Sequence, residues 1–434
     1  MKVFISAWWE RLRTSYWFIP GLLALSATAL SFLTVHIDAL VNAKWVRATG
    51  WIWAGSAEGA RNVLATIAGS AITVAGVIFS ITIVSLTLAS SQFGPRLLRN
   101  FMADRATQFV LGIFVSSFLY CLLVLRTIRG TGETQFVPYL SVTCGLIFAV
   151  VSVGFLIFFI HHVSNSILAE NLIVRVAREL EEGIERLFPE AIGDGAASAI
   201  ENDGQTLPQT ESFSLLAPAN GFIQAIDAEH ILHLATKRNL VVRLHRRPGD
   251  FVARESRLAE VWPKEEASRA ALTDMIEAYY FGRTRTPTQD VEYSIDQLVE
   301  VAVRALSPGI NDPFTAITCL EWLGVALSRV GNRKMPSRYR CDDDGKLRVV
   351  SDVTDFRGLA SAALDQIRQY GCSSMAVTLR MLDVVGRVCA EIASAENRAT
   401  LFEHAEKIRD DGVAAVRNQR DGAAIEEKFR EVTA

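Results

Sequence analysis

Apolar positions crowd the first 163 residues in four runs, about Trp17–Val35, Asn62–Gln92, Ala106–Leu125 and Val137–Ile160, and thin out afterwards. Each run is long enough for a helix to cross the ~30 Å hydrocarbon core of a bilayer. The second carries thirty-one consecutive positions without a charge, roughly 45 Å of helix at ~1.5 Å per residue, so it must tilt or project. It is also unusually polar for a span. Thr66, Ser70, Thr73, Val77, Ser80, Val84, Thr87 and Ser91 recur at alternating spacings of four and three, which puts them on one stripe.

The stripe has two physical readings. Small side chains, with Gly69 and Gly76 nearby, let membrane helices approach one another closely. Alternatively, in a ring of subunits the stripe faces a central water path, with Val77 and Val84 as apolar constrictions that gate by dewetting. A lipid-facing stripe is disfavoured: hydroxyls bond their own i−4 carbonyls but gain nothing from hydrocarbon.

Past residue 163 the period changes. Ile167, Leu168, Leu172, Val174, Val176, Leu180, Ile184 and Leu187 form an apolar helical face, and a continuous helix from about Val137 to Phe188 is expected. Residues 164–212 thus read as a helical extension of the fourth span followed by a Gly-, Ala- and acid-rich connection from Pro189 to Ser212. Residues 213–263 read as a small β-rich module: Phe222–Asp227 and Leu240–Leu244 are strand-like, Ala228–Lys237 a short helix, and Arg247–Asp250 a turn. The module offers no hairpin-tip lysine for a lipoyl or biotinyl group. Residues 264–434 are mostly helical, interrupted by an exposed loop at Asn332–Lys346 that holds Asp342, Asp343 and Asp344. The expected fold is an α-helical polytopic membrane protein with four spans, followed by a cytoplasmic α+β domain.

Composition adds orientation and exclusions. The net charge of −3 and the lack of an Arg/Lys-rich tract argue against a nucleic-acid partner. Six of the eight tryptophans fall within the first 53 residues, as in an interfacial belt. With the N-terminus inside, the inner flanks hold eight Lys and Arg against five outside, so both termini are expected in the cytoplasm. No Asp, Glu, Lys or Arg falls within the four runs, which disfavours an ion-coupled pump. Arg96 and Arg99, just below the second span, suit a cationic ring at an inner mouth or ordinary positive-inside anchoring. His161 and His162 end the fourth span as interfacial residues. The six cysteines have no CxxC spacing, and His230 and His233 have no companion ligands, so neither a metal nor a cofactor is expected.

The most suggestive soluble segments are Gly282–Pro287 (GRTRTP) and Ser307–Thr315 (SPGINDPFT). Pro308 and Gly309 stop one helix, while Asp312 caps the next with Pro313 at its first position. If the segments meet, Arg283 and Arg285 would hold a phosphate or carboxylate beside Asn311, Asp312 and the free amides of that helix start. The plain alternative is a structural helix corner. No Walker pattern or nucleophile elbow appears, so the protein is not expected to be an enzyme.

Four stretches, SLTLASSQFGPRLLRNFM (Ser85–Met102), LYCLLVLRTIR (Leu119–Arg129), GRTRTPTQDVEYSIDQLVEVAVRALSPGINDPFTA (Gly282–Ala316) and IRQYG (Ile367–Gly371), resemble those of a large bacterial family of predicted membrane proteins with a domain of unknown function. The resemblance implies a bacterial inner-membrane protein with a multi-span N-terminal half and a cytoplasmic half, and assigns no catalytic or binding residue. From the residues themselves, the first expectation is a homo-oligomeric ion channel or pore lined by the second span and carrying a regulatory domain. Its partners would be the bilayer, further copies of the chain and inorganic ions. The alternative is a membrane-anchored sensor or scaffold whose cytoplasmic domain binds a partner or a small anionic ligand.

Overall fold

A computed structural model of the chain describes residues 16–40, 53, 55–94, 104–129, 136–166, 168–188, 207–208, 210–266 and 268–433. The chain divides into two compact units, Met1–Asn171 and Leu172–Ala434.

The first unit holds four helices long and apolar enough to cross a bilayer: α1 (Phe18–Leu40), α2 (Ala57–Phe93), α3 (Arg105–Leu125) and α4 (Tyr139–Ser166). The shortest, α3, lies at the centre, with twelve of its residues buried against the other three. Glycines permit the tightest crossings. A Cβ at Gly112 would lie 2.6 Å from Leu23 of α1, and one at Gly145 of α4 would lie 2.9 Å from Leu64 of α2. Hydrocarbon offers no water to replace a lost partner, and several polar side chains in the bundle pair with one another. Tyr120 donates to the Ser141 carbonyl at 3.1 Å and shares a hydrogen bond with Thr34 at 3.0 Å, while Ser117 and Ser152 meet at 3.0 Å.

Two expectations change here. The helices extend beyond the apolar runs and take in Asp38, Glu58, Arg61 and Arg105, all near helix ends where backbone groups need partners. Arg61, for instance, donates to the Ile128 carbonyl just past α3 at 2.9 Å. Nor does the fourth span continue unbroken. Helix α4 ends at Ser166 and α5 (Ala169–Leu187) begins three residues later. The Asn165 carbonyl, which would accept from Ala169 in a continuous helix, instead takes the Leu168 N–H at 3.4 Å and the Asn171 side-chain amide at 2.6 Å.

In the second unit, α5 buries Leu172, Ile173, Val176, Ala177, Leu180 and Ile184 along one face. After it come β1 (Phe213–Leu216), β2 (Gly221–Ile226), α6 (Ala228–Lys237), β3 (Val241–Leu244), β4 (Phe251–Val252), β5 (Arg257–Trp262), α7 (Arg269–Glu277) and β6 (Tyr279–Gly282). Helices α8 (Val291–Ala305) and α9 (Pro313–Gly331) precede a hairpin of β7 (Tyr339–Cys341) and β8 (Leu347–Ser351). Four more helices close the unit: α10 (Phe356–Gly371), α11 (Met375–Glu391), α12 (Ala395–Ala415) and α13 (Gln419–Thr433).

The strands form two sheets, ordered β1-β5-β3-β8-β7 and β4-β2-β6. Only the β3–β8 pairing is parallel among the described strands, with Val242 opposite Val349 and Leu244 opposite Ser351. The β-rich part is therefore not confined to residues 213–263. Strands β6, β7 and β8 return to it from the segment expected to be helix and loop, and the loop read at Asn332–Lys346 contains β7. Asp342 is no unpartnered acid either: its carboxylate pairs with Arg348 at 2.7 Å across the hairpin.

Candidate functional site

At roughly 100° per residue, α2 has two opposed faces. Ala57, Ala60, Leu64, Ala68, Ala71, Ala75, Ile78, Thr82 and Ala89 are buried and turn towards the other helices of the unit. All eight stripe positions, Thr66, Ser70, Thr73, Val77, Ser80, Val84, Thr87 and Ser91, lie exposed on the other side. Val77 is 52% and Val84 67% accessible. Alanine is what makes the close inner packing; the hydroxyl face takes no part in it.

Local chemistry suits that face to an uncharged polar surface. Thr66, Ser70, Thr73 and Thr87 donate to carbonyls one turn back at 2.7–2.9 Å, leaving each oxygen's acceptor side open. A Cβ at Gly69 or Gly76 would meet nothing within 4 Å, so neither glycine serves a close approach inside the protomer. The intramolecular packing explanation for these small residues is thereby removed. Arg96 and Arg99, expected at the inner mouth, lie outside the described residues. Beside that end of the bundle, Asp104 caps α3 and sits 2.7 Å from His162 Nε2, whose ring stacks on Phe158.

The soluble ligand site expected from GRTRTP and SPGIND is not assembled. Arg285 clamps Asp290 through two bonds of 2.8 and 3.0 Å and reaches Asp296 at 2.5 Å, all at the N-terminal end of α8. Burial alone lowers the pKa of its guanidinium, but the bonds to Asp290 and the charges of both carboxylates more than offset this and raise it. Asn311 and Asp312 follow the opposite end of α8, where the Asp312 N–H donates to the Ala305 carbonyl at 2.7 Å. Fifteen residues of helix, roughly 22 Å, separate the two segments. The Asp312 carboxylate is already committed to the Phe314 and Thr315 amides and the Thr315 hydroxyl. Asn311 adopts a left-handed backbone (φ 50°) in the exposed turn. Arg285 and Asp312 are fold-holding residues, and Arg283 makes no contact that would bring it to Asn311.

One arrangement has no sequence signal beyond an i, i+4 pair. Ser361 and Asp365 on α10 flank His404 of α12, at 3.4 Å from Nε2 and 3.5 Å from Nδ1 respectively. The order mimics a hydrolase triad, but His404 is fully packed and Arg368 salt-bridges both Asp365 and Asp411. It holds two helices together.

Comparison with known proteins bears on the whole chain. A family model described as "Predicted membrane protein (DUF2254)" matches residues 13–387. The chain is 33% identical over 347 residues to proteins named Uncharacterized protein Mb1321c, of Mycobacterium bovis, and Uncharacterized protein Rv1290c, of Mycobacterium tuberculosis. Each match covers 78% of this chain and 66% of the relative, so the chain spans a little under two thirds of their length. No solved structure matches.

Proposed function

This chain belongs to the DUF2254 family of predicted membrane proteins, and we propose that it assembles as a homo-oligomeric ion channel of the bacterial inner membrane, lined by α2. The second unit is then a cytoplasmic regulatory domain. The observation that carries the reading is the exposure of all eight stripe positions on the face of α2 that the protomer leaves unpacked. Lipid is a poor neighbour for a row of hydroxyls and bare glycines, whereas a ring of copies supplies both helix contacts and a wet axis. Supporting it, the charged side chains of the four helices sit near their ends, so the described middle of the bundle offers no Asp, Glu, Lys, Arg or His for coupled transport.

The test is ion flux through liposomes containing purified protein, under steps of voltage, pH and membrane tension. The reading expects flux that rises in Val77→Ser and Val84→Ser, because a hydroxyl at either position removes a dewetting constriction. Absence of flux under all three stimuli, together with a monomeric or dimeric particle lacking an axial opening, refutes it and leaves a membrane-anchored sensor or scaffold.

A further inference from the structure

The second unit contains a cavity of about 270 Å³ that neither the stripe nor the expected arginine corner involves. It opens where the only parallel strand pair among the described strands ends. Leu244 of β3 and Ser351 of β8 sit side by side in register, and the segments that leave them, Arg246–Pro248 and Asp352–Thr354, form the rim. The carboxyl ends of adjacent parallel strands make a crevice because the chains diverge there, and open α/β sheets bind ligands at such points. Leu187, Phe188, Ile226, Leu244, Val291 and Val349 give it apolar walls.

Two cations stand at this cavity uncommitted. Arg246 and Arg340 both line it, both are exposed, and among the described residues neither guanidinium has a hydrogen-bonding or ion-pair partner. The neighbouring Arg247 is different: it is held by Glu292 at 3.0 Å and by the Thr354 hydroxyl at 2.5 Å, so it braces the rim. Gln289 likewise clamps both backbone groups of Ile226, at 2.9 and 3.2 Å, and fixes the wall between β2 and α8. A braced apolar hollow with two free guanidiniums matches one ligand chemistry. The apolar body is buried by the walls, and a phosphate or carboxylate is received by the arginine forks.

We propose that this cavity is a binding site for a small organic anion, one apolar ring system bearing a single phosphate or carboxylate, with Arg246 and Arg340 as its anion receptors. The proposal stands on the second unit alone and holds whether or not α2 lines a pore. Leu187, in its wall, is the last residue of α5, and the carbonyl of Phe188, which follows it, is held by Arg333 at 2.5 Å. A bound ligand therefore packs directly against the last turn of that helix.

The test uses full-length protein in nanodiscs and two fluorescent probes that share one anilinonaphthalene body and differ by a single sulfonate group, 8-anilinonaphthalene-1-sulfonate and N-phenyl-1-naphthylamine, with empty nanodiscs as the blank. The expected result is one saturable sulfonate-probe site per chain. Its affinity should fall at least about tenfold in the Arg246→Ala/Arg340→Ala double variant, while binding of the neutral probe stays within about twofold. Ala228→Phe, at the cavity wall, should remove both probes. Displacement by 1-naphthyl phosphate or by 1-naphthoate then identifies the preferred head group. A sulfonate-probe isotherm unchanged in the double variant overturns the proposal, provided circular dichroism shows both proteins folded. So does displacement by inorganic phosphate as strong as that by naphthyl phosphate, since the apolar walls would then contribute nothing.

Discussion

Asp38, in the last turns of α1, caps the start of α4 through Ser141, 103 residues away. Its carboxylate accepts from the Leu140 and Ser141 amides at 2.9 Å each and from the Ser141 hydroxyl at 2.6 Å. A carboxylate at a helix N-terminus satisfies orphan donors and favours the positive end of the helix dipole. Ser141 also supplies the carbonyl that receives Tyr120, so one residue joins α1, α3 and α4. Asp38→Ala is expected to cost about 1–3 kcal/mol. Thermal unfolding in detergent, with Asp38→Asn as the partial replacement, measures it; an unchanged midpoint in Asp38→Ala would contradict the capping role.

Arg348 and Asp342 are 8% and 4% exposed, and Arg348 also donates to the Asn239 side chain at 2.9 Å, next to β3. Removing one member leaves the other charged and buried. Arg348→Ala should therefore lower the unfolding midpoint of the second unit, whereas Arg348→Ala/Asp342→Ala should recover part of the loss. Chemical denaturation of the three variants checks this.

His404 supplies a pH dependence. Burial lowers its pKa from the usual 6.5, only partly opposed by the Asp365 carboxylate, with Lys407 and Arg368 lowering it further. The folded protein therefore keeps this imidazole neutral at pH values where the unfolded chain binds a proton, so stability rises with pH in that range. The contribution is complete above about pH 6.5 and is lost as pH falls below it. His404→Gln should flatten the change in unfolding midpoint between pH 7 and pH 5; an identical slope in the variant would contradict the assignment.

Arg285 should behave as a structural residue. Arg285→Ala frees Asp290, which is 4% exposed and also caps α8 through the Tyr293 amide, so a loss of about 3 kcal/mol is expected. Sulfonate-probe binding by any folded Arg285→Ala protein should match the wild type, and a selective loss of that binding would restore Arg285 to a ligand site.

What was legible in the chain was local. The four apolar runs, the helix at Ala228–Lys237 and the cap at Asp312 follow from spacing and from residue types that satisfy nearby backbone groups. What was missed depends on distant partners. The parallel pairing of Leu244 with Ser351, 107 residues on, has no local trace, and without it neither the five-stranded sheet nor the cavity at its edge can be drawn. The same holds for Asp342, whose place in an acidic run looks solvated until Arg348 is set against it. A site joining GRTRTP to SPGIND required the two segments to meet, and the 15-residue helix that runs between them keeps them apart. On α2 the stripe itself was plain, but which side of it packed was not, since alanine and hydroxyl faces are both small.

The most direct test of the account is the reactivity of single cysteines along α2 in proteoliposomes towards a charged, membrane-impermeant methanethiosulfonate, followed by mass and corrected for the native thiols. Thr73→Cys, Val77→Cys, Ser80→Cys and Val84→Cys are predicted to react. Ile72→Cys and Phe79→Cys, exposed in the protomer but roughly 100° off the stripe, should stay unmodified. Unreactive cysteines at all four stripe positions would contradict a water-lined α2.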